Sequence, residues 1–285
     1  MPKRNLLICF DAFGTLFSPK RPIAQQYGEV ARSLGLGGFT DEQLQESFKK
    51  AFKAEAKTNP NFGKANGMDA TAWWTNPLVG GQQKIHADLA PKLLHRFASE
   101  EGYTLAPGAK RLLRGLRKPT DGSEGRTVVG LITNSDDRVP GVLSSLGLNV
   151  SPLRYGNTSS SNFDKTTQYD IDFSVMSYDV GREKPDKRIF SAAEEIWRQL
   201  PGNADAKDDE WDKVYVGDEY GKDVVGAQAA GWHSVLIAED QSNLPHDVED
   251  IEKKQPGDLS PLLQDRQSNV AISSLKRLAH WFGIP

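Results

Sequence analysis

Four short apolar runs, each ending in a cluster of polar residues, constrain this chain more than any other feature. Leu6–Phe10 ends in Asp11-Ala12-Phe13-Gly14-Thr15, and Thr127–Ile132 ends in Thr133-Asn134. Asp172–Met176 is followed by Gly181 to Asp186, with Lys184 among them, and Val214–Val216 ends in Gly217-Asp218, shortly before Asp223. Short runs that are apolar throughout, without alternation, fit strands buried on both faces. Helical patterns separate the runs and no hairpin signal joins them, so the expected fold is α/β, a mostly parallel sheet covered by helices. In such a sheet the carboxyl ends of the strands share one edge, where ligands bind. Asp11, Lys184 and Asp218 can therefore meet in one site although they lie far apart in the chain.

The segment between the first two runs has a different rhythm. Ile23–Leu34 reads as a helix, and Asp41–Lys57 as a second one with Leu44, Phe48, Ala51, Phe52 and Ala56 on one face. Thr40 is placed to cap that helix, with Gln43 completing a capping box. Asn59–Gly67 reads as a loop, and Gln82–Glu100 as a helix striped by Ile85, Leu89, Leu93 and Phe97. The Trp73-Trp74 pair is expected in the packing of a small helical domain, or with one ring at the mouth of a site. No strand is expected from residue 20 to 100. The division that follows is an α/β core of residues 1–18 and 105–285 and an inserted all-helical domain of residues 19–104, hinged near Ser18-Pro19 and Thr104–Pro107.

Beyond the insert, helices are expected at Ala109–Arg117, Val139–Leu146, Arg188–Leu200 and Val224–Ala230, a strand at Ser234–Ile237, and a last helix over Val270–Trp281. Pro119–Gly125, Leu153–Gln168, Asp205–Asp212 and residues 239–265 read as loops. Composition excludes several classes. With 38% apolar and 26% charged residues the chain is ordinary for a globular fold, and a net charge of -3 argues against an extended nucleic-acid surface. The single cysteine, Cys9, has no partner for an internal disulfide and fits a reducing compartment. The start MPKRNLLICF carries too few apolar residues for a signal peptide, and no run is long enough to cross a bilayer. The expectation is a cytoplasmic and/or nuclear protein with no membrane partner.

The polar clusters suggest chemistry. Asp11 can act as a nucleophile that forms a covalent intermediate, against the plainer role of shaping a strand-end turn. Thr15 can donate to Asp11, and Gly14 permits a tight turn beside a substrate. Thr133 and Asn134 can donate to the oxygens of a phosphoryl or carboxylate group, or can simply build the turn Asn134-Ser135-Asp136. Lys184 can neutralise nucleophile and bound anion together, where an ordinary lysine would be solvated. Asp218 and Asp223, with Asp11 and the backbone carbonyl of Phe13, offer oxygen ligands for Mg²⁺; the alternative is a purely structural pair of carboxylates. Glu219, beside Asp218, is a weaker ligand candidate.

DAFGTL at Asp11–Leu16, LITNS at Leu131–Ser135, EKPD at Glu183–Asp186 and VGDEYGKDVVGAQAAG at Val216–Gly231 together resemble the four motifs of the haloacid dehalogenase-like (HAD) superfamily, from the N-terminus to about residue 238. The resemblance implies a Rossmannoid core, and the helical insert is similar to the family's type I cap. Tyr27, Asn59-Pro60-Asn61-Phe62-Gly63 and Trp73-Trp74 resemble the eukaryotic haloacid dehalogenase-like hydrolase domain-containing protein 3 group. The resemblance further implies a Mg²⁺-dependent hydrolase of a small phosphorylated metabolite, working through an aspartyl-phosphate on Asp11.

Phe13 departs from the pattern. Family phosphatases place an acid/base aspartate two residues after the nucleophile, and general acid–base help is worth ~10²–10⁴-fold. Family 2-haloacid dehalogenases carry an aromatic residue near this position and resemble the chain at Asp11, Lys184 and Asp223. They work without metal, however, and have serine where Asp218 stands and asparagine where Tyr220 stands. Two alternatives follow: a dehalogenase, and a catalytically weak or inactive member that binds a small anionic or phosphorylated molecule, a protein or a ribonucleoprotein.

Overall fold

The computed structural model describes residues 4–79, 86–117, 125–157, 167–252, 254 and 268–285. Its centre is strand β1 (Asn5–Phe10), whose residues from Leu7 to Phe10 have no solvent exposure. Such complete burial explains why the run is apolar throughout. Leu7 and Cys9 point to one face of the sheet, and Ile8 and Phe10 to the other, so one strand feeds two cores.

After the short strands β2 (Phe17–Pro19) and β3 (Tyr103–Leu105), described below, the sheet continues with β4 (Thr127–Thr133), β5 (Phe173–Met176), β6 (Trp211–Gly217), β7 (His233–Ile237), β8 (Glu249–Asp250) and β9 (Asn269–Ile272). Seven strands run in the order β5-β4-β1-β6-β7-β9-β8, and every neighbouring pair is parallel. The chain leaves β1 towards β4 and β5, then crosses back to β6 on the other side. That reversal flanks the carboxyl end of β1, the place where open parallel sheets form a binding crevice. Register brings the ends together, since Phe10 pairs with both Leu131 and Val216.

Between β2 and β3 lie helices α1 (Ile23–Ser33), α2 (Asp41–Thr58), α3 (Ala70–Val79) and α4 (Leu89–Arg96). β2 and β3 pair antiparallel as a narrow ribbon where the chain enters and leaves this helical segment. The Thr40 capping box forms as expected: Gln43 N donates to Thr40 Oγ1 at 3.2 Å, and Thr40 N to Gln43 Oε1 at 2.8 Å. The helix expected over Gln82–Glu100 is shorter. It begins at Leu89 and stops at Arg96, keeping Leu93 and Phe97 buried against Val30, while Ile85 lies outside the described residues. Where a loop was expected at Asn59–Gly67, Asn61–Asn66 winds into a 3₁₀ helix with Asn61 and Phe62 at φ 48° and 56°.

The remaining helices α5 (Ala109–Gly115), α6 (Val139–Ser145), α7 (Ser177–Val180), α8 (Arg188–Arg198), α9 (Val225–Ala229) and α10 (Leu275–Trp281) belong to the α/β part. α8 shows the logic of the packing: Ile189, Phe190, Ala193, Ile196 and Trp197 recur on one face and all are buried against the sheet. Each such large side chain contributes roughly 1.5–3 kcal/mol by leaving water. The helix expected over Val270–Trp281 is corrected to strand β9 followed by α10. Asn-Val-Ala-Ile is fully buried beside β7, and Ser274, whose Oγ accepts from Arg277 N at 3.3 Å, marks where the helix starts. Most of the loop expected at Pro119–Gly125, and residues 158–166 of the expected excursion, lie outside the described residues. Among the described residues no helix is long and apolar enough to cross a membrane.

Candidate active site

The carboxyl edge of β1, β4 and β6 gathers the residues that the sequence singles out. Asp11 follows β1 directly, is 6% exposed, and its backbone N–H donates to Val216 O at 2.8 Å, which fixes it beside β6. Oxygens of Asp11, Asp218 and Asp223 all lie within 4.8 Å of one another. Lys184, almost wholly buried, closes the group with its Nζ 2.9 Å from Asp11 Oδ1 and 2.7 Å from Asp223 Oδ1. Three carboxylates against one ammonium leave two formal negative charges in a largely buried space.

The electrostatics follow from that imbalance. Burial pushes the Asp218 carboxyl up to about 6, with repulsion from Asp11 and Asp223 adding to it and the Thr15 hydrogen bond opposing it. Asp223 is raised as well, chiefly by burial, although Lys184 pulls it down. Burial disfavours the charged form of Lys184, but the facing carboxylates of Asp11 and Asp223 win and hold it above the usual lysine value. A hard cation is the natural complement to this donor set. All three donors are carboxylate oxygens, and Mg²⁺ takes one to a few of these and fills its octahedron with water.

Two local features keep the cluster tight. Gly14 has φ +88°, and a Cβ there would lie 2.3 Å from Asp218 Oδ2, so only glycine lets the two segments approach this closely. After β6 the chain makes a π-helical turn over Tyr220–Val224, a geometry frequent at functional sites. In that turn Asp223 Oδ2 accepts from Glu219 N at 2.8 Å. Glu219 itself turns outward and is exposed, its carboxylate 2.8 Å from Lys222 Nζ.

Several expected residues take positions of their own. Thr15 Oγ1 donates to Asp218 Oδ1 at 2.9 Å and not to Asp11, because the turn at Gly14 carries it towards the β6 end. Thr133 is buried at the end of β4. Asn134 differs from the expected anion donor. Its Oδ1 accepts from Lys184 N at 2.6 Å and its Nδ2 donates to Lys184 O at 3.0 Å, so its amide braces the lysine loop. The side chain of Phe13 is 49% exposed and edge-on to Phe17 and Tyr103, with no carboxylate to transfer a proton.

Two residues have roles that the sequence reading did not supply. Tyr215 in β6 is fully buried, its hydroxyl 2.7 Å from Lys184 Nζ and 2.6 Å from Ile132 O. An apolar strand pattern absorbs a tyrosine without signalling that its hydroxyl is used. Asp136 is a second case, fully buried and gripped by Arg138 through Nε at 2.9 Å and Nη2 at 2.7 Å.

The helical segment touches the core beside this edge. Trp74 Nε1 donates to Asp136 Oδ2 at 2.7 Å, and the Arg138 guanidinium lies 4.7 Å from the centre of the Trp74 ring. Asn61 Nδ2 donates to Ser177 O at 2.8 Å and Tyr178 OH to Met68 O at 2.9 Å. The tryptophan pair thus divides its labour: Trp73 is buried within the helical segment, and Trp74 meets the core.

Comparison with known proteins agrees with this architecture. The chain is 30% identical over 246 residues to the rhythmically expressed gene 2 protein of Drosophila melanogaster, covering 83% of this chain and 84% of that protein. It is 28% identical over 243 residues to the haloacid dehalogenase-like hydrolase domain-containing protein 3 of Homo sapiens, with 83% of each covered. Among solved structures it is similar to a HAD phosphatase from Thermococcus onnurineus, with TM-score 0.54, 18% identity and 99% of each chain covered. It is equally similar to a 2-haloacid dehalogenase from Pseudomonas syringae pv. Tomato, with TM-score 0.54, 19% identity and 98% of each covered. These two structures bear on the fold and on nothing finer. The model of the haloacid dehalogenase-like hydrolases matches residues 6–231, most of the chain and all four polar strand ends. With its parallel Rossmannoid core, flanking helices and acidic strand-end cluster, the chain belongs to the haloacid dehalogenase-like hydrolase family.

Proposed function

We propose that the chain is a Mg²⁺-dependent hydrolase of small phosphorylated compounds, working through an aspartyl-phosphate on Asp11 and effective only on substrates with good leaving groups. The observation that carries this reading is the convergence of Asp11, Asp218 and Asp223 within 4.8 Å, with Lys184 against two of them. A metal-free dehalogenase has no use for the third carboxylate.

In this reading an oxygen of Asp11 attacks phosphorus as the bond to the leaving oxygen breaks, and water then cleaves the acyl phosphate to regenerate Asp11. Asp11, Asp218, Asp223 and the Phe13 carbonyl would hold Mg²⁺, which would supply positive charge to offset repulsion between nucleophile and incoming phosphate. Thr133 donates to a phosphoryl oxygen, Lys184 aims Asp11 through their ion pair, Asn134 braces the lysine loop, and Thr15 orients Asp218. Residues 19–104 act as a type I cap over the core of residues 1–18 and 105–285, closing through Trp74 and the Asn61 segment to exclude bulk water. The aromatic cap features and the 28% identity to the human relative support placement near the domain-containing protein 3 group. The lone, buried Cys9 accords with a reducing compartment, cytoplasm or nucleus.

With Phe13 at the acid/base position, the leaving group must depart without a proton from the protein. Rates should therefore depend steeply on leaving-group pKa, with activated aryl phosphates exceeding alkyl phosphates by ~10²–10⁴-fold, the usual worth of general acid catalysis. Phosphate release from such a series with Mg²⁺, beside an Asp11→Asn control, tests this. Equal rates across the series with chemistry limiting would sink it.

The exposed Phe13 side chain also favours a second reading, a binding protein that keeps the pocket for an anionic or phosphorylated molecule, or presents the cap to a protein or ribonucleoprotein, without turnover. Mg²⁺ binding with no Asp11-dependent turnover would select it. Halide release without metal would instead select a 2-haloacid dehalogenase.

A further inference from the structure

Three acceptor oxygens face the Lys184 ammonium at the end of its flexible four-carbon stem: Asp11 Oδ1, in an ion pair at 2.9 Å, and Asp223 Oδ1 and the Tyr215 hydroxyl, each hydrogen-bonded at 2.7 Å. The first two are carboxylates. The third is neutral, buried without any exposure, and lies on β6, next to β1, which leads into Asp11, and one strand further from β4, which carries Thr133.

A phenol has one proton to give. Tyr215 gives it to Ile132 O at 2.6 Å, so its oxygen faces Lys184 Nζ with lone pairs only. The ring cannot turn away from this arrangement, because Phe190 packs edge-on against it at 5.1 Å and Cys9 and Trp232 belong to the same packed face. Nothing in the packing alone calls for a hydroxyl here; phenylalanine would fill the same apolar space.

We propose that Tyr215 is a positioning residue for Lys184, a fixed third acceptor that holds the ammonium against Asp11. Two carboxylates alone define a line along which an ammonium can slide, and any cation or phosphate that draws on Asp11 or Asp223 would pull the lysine with it. A third acceptor of fixed direction converts the line into a tripod. Asn134 clasps the main chain of the same residue, so Lys184 is held at both ends. Ile132 directly precedes Thr133, so one phenol also ties the position of the ammonium to the strand end bearing that hydroxyl. The proposal rests on the reading of Asp11 as nucleophile only for its catalytic consequence; the tether itself is independent of turnover.

The test is Tyr215→Phe in the full chain, read in two ways. In ¹⁵N-resolved NMR of lysine ammonium groups, the wild type should show a slowly exchanging Lys184 signal, assigned by its loss in Lys184→Met. Tyr215→Phe should abolish or broaden it. On the best aryl phosphate, kcat should fall at least ~10-fold with KM within about twofold, since misplacement near 1 Å is costly to chemistry more than to binding. Ile284→Ala, a core truncation against Gly115 away from the site, is the stability control and should leave both readouts unchanged. If Tyr215→Phe does not fold, 3-fluorotyrosine at position 215 keeps the shape while weakening the acceptor, and should shift the same signal. An unchanged Lys184 signal, or a lost signal with unchanged kcat in an active enzyme, overturns the proposal. A wild type without turnover whose Lys184 signal still depends on Tyr215 overturns the hydrolase reading and leaves the tether standing.

Discussion

Replacing Lys184 by methionine removes the only ammonium paired with the carboxylate cluster among the described residues and keeps most of the side-chain volume. Lys184 is nearly inaccessible, and its loss leaves Asp11 and Asp223 facing each other in a buried site without their counter-charge. Removing one partner from such a buried arrangement costs ~3–5 kcal/mol. For a chain of 285 residues, unfolding entropy near 2.1 cal/mol/K per residue sums to about 0.6 kcal/mol/K, so the melting temperature should fall by ~5–8 °C. The measurement is thermal unfolding followed by circular dichroism in a chelating buffer. The double variant Lys184→Met/Asp223→Asn should be more stable than the single one, because it removes the carboxylate the first change stranded. A coupling of at least ~1 kcal/mol is expected for groups in direct contact. Acid should help too. Asp223 is already raised by burial, and without Lys184 its folded value rises further. A carboxyl whose folded pKa lies above its unfolded one contributes stability that is present at low pH and lost as pH rises through the folded value. The deficit of Lys184→Met should therefore shrink as pH is lowered through the raised folded value of Asp223. A loss below ~1 kcal/mol, or strict additivity in the double variant, would refute the view that Lys184 carries the charge balance of this site.

Three further outcomes are expected. Gly14→Ala places a methyl 2.3 Å from Asp218 Oδ2 and demands φ +88° of a non-glycine residue, which costs ~1–2 kcal/mol before the clash is relieved. Asp218 must then retreat from Thr15, and Mg²⁺ affinity measured by calorimetry should drop at least ~10-fold; an unchanged affinity would show that the close approach is incidental. For the unchanged protein, protons should compete with Mg²⁺ at Asp218, whose carboxyl sits at about 6, so affinity should weaken as pH is lowered through that value. The same raised value means that metal-free stability is lost as pH rises through about 6, so the thermal protection given by Mg²⁺ should be larger on the alkaline side. Protection that is flat with pH would place the metal away from Asp218.

The sequence carried the parallel sheet because burial on both faces leaves a plain mark: β1, β4 and the second half of β6, from Val214, are apolar runs that end abruptly in polar residues. Convergence of the strand ends then followed from topology alone. What the sequence concealed was of two kinds. β2, β3 and β8 are two or three residues long, too short for periodicity, and β9 with α10 read as one element because apolar residues run through both with only Ser273-Ser274 between them. Partner choice was the second kind. Thr15 could be seen to donate, but that it donates to Asp218 depends on a left-handed turn at Gly14, and the bond that Lys184 donates to Tyr215 joins two segments with no shared local signal.

The acidic cluster also bears on whether the site still works. Asp11, Asp218 and Asp223 crowd three carboxylates around one ammonium, and burial raises two of the three above their ordinary values. For the metal-free fold this arrangement is unfavourable. A neutral amide at 218 or 223 would relieve repulsion while keeping shape, a substitution of the stabilising kind that proteins under no functional demand can accept readily. Gly14, Thr15, Asn134 and Tyr215 are all engaged in maintaining the unfavourable arrangement, by close approach, by hydrogen bond or by fixing the lysine. Phe13 has no proton to transfer. Under the proposed function, a charge-bearing framework held this closely around a Phe13 that cannot transfer a proton fits a site that binds cation and anion and acts on leaving groups that depart unaided.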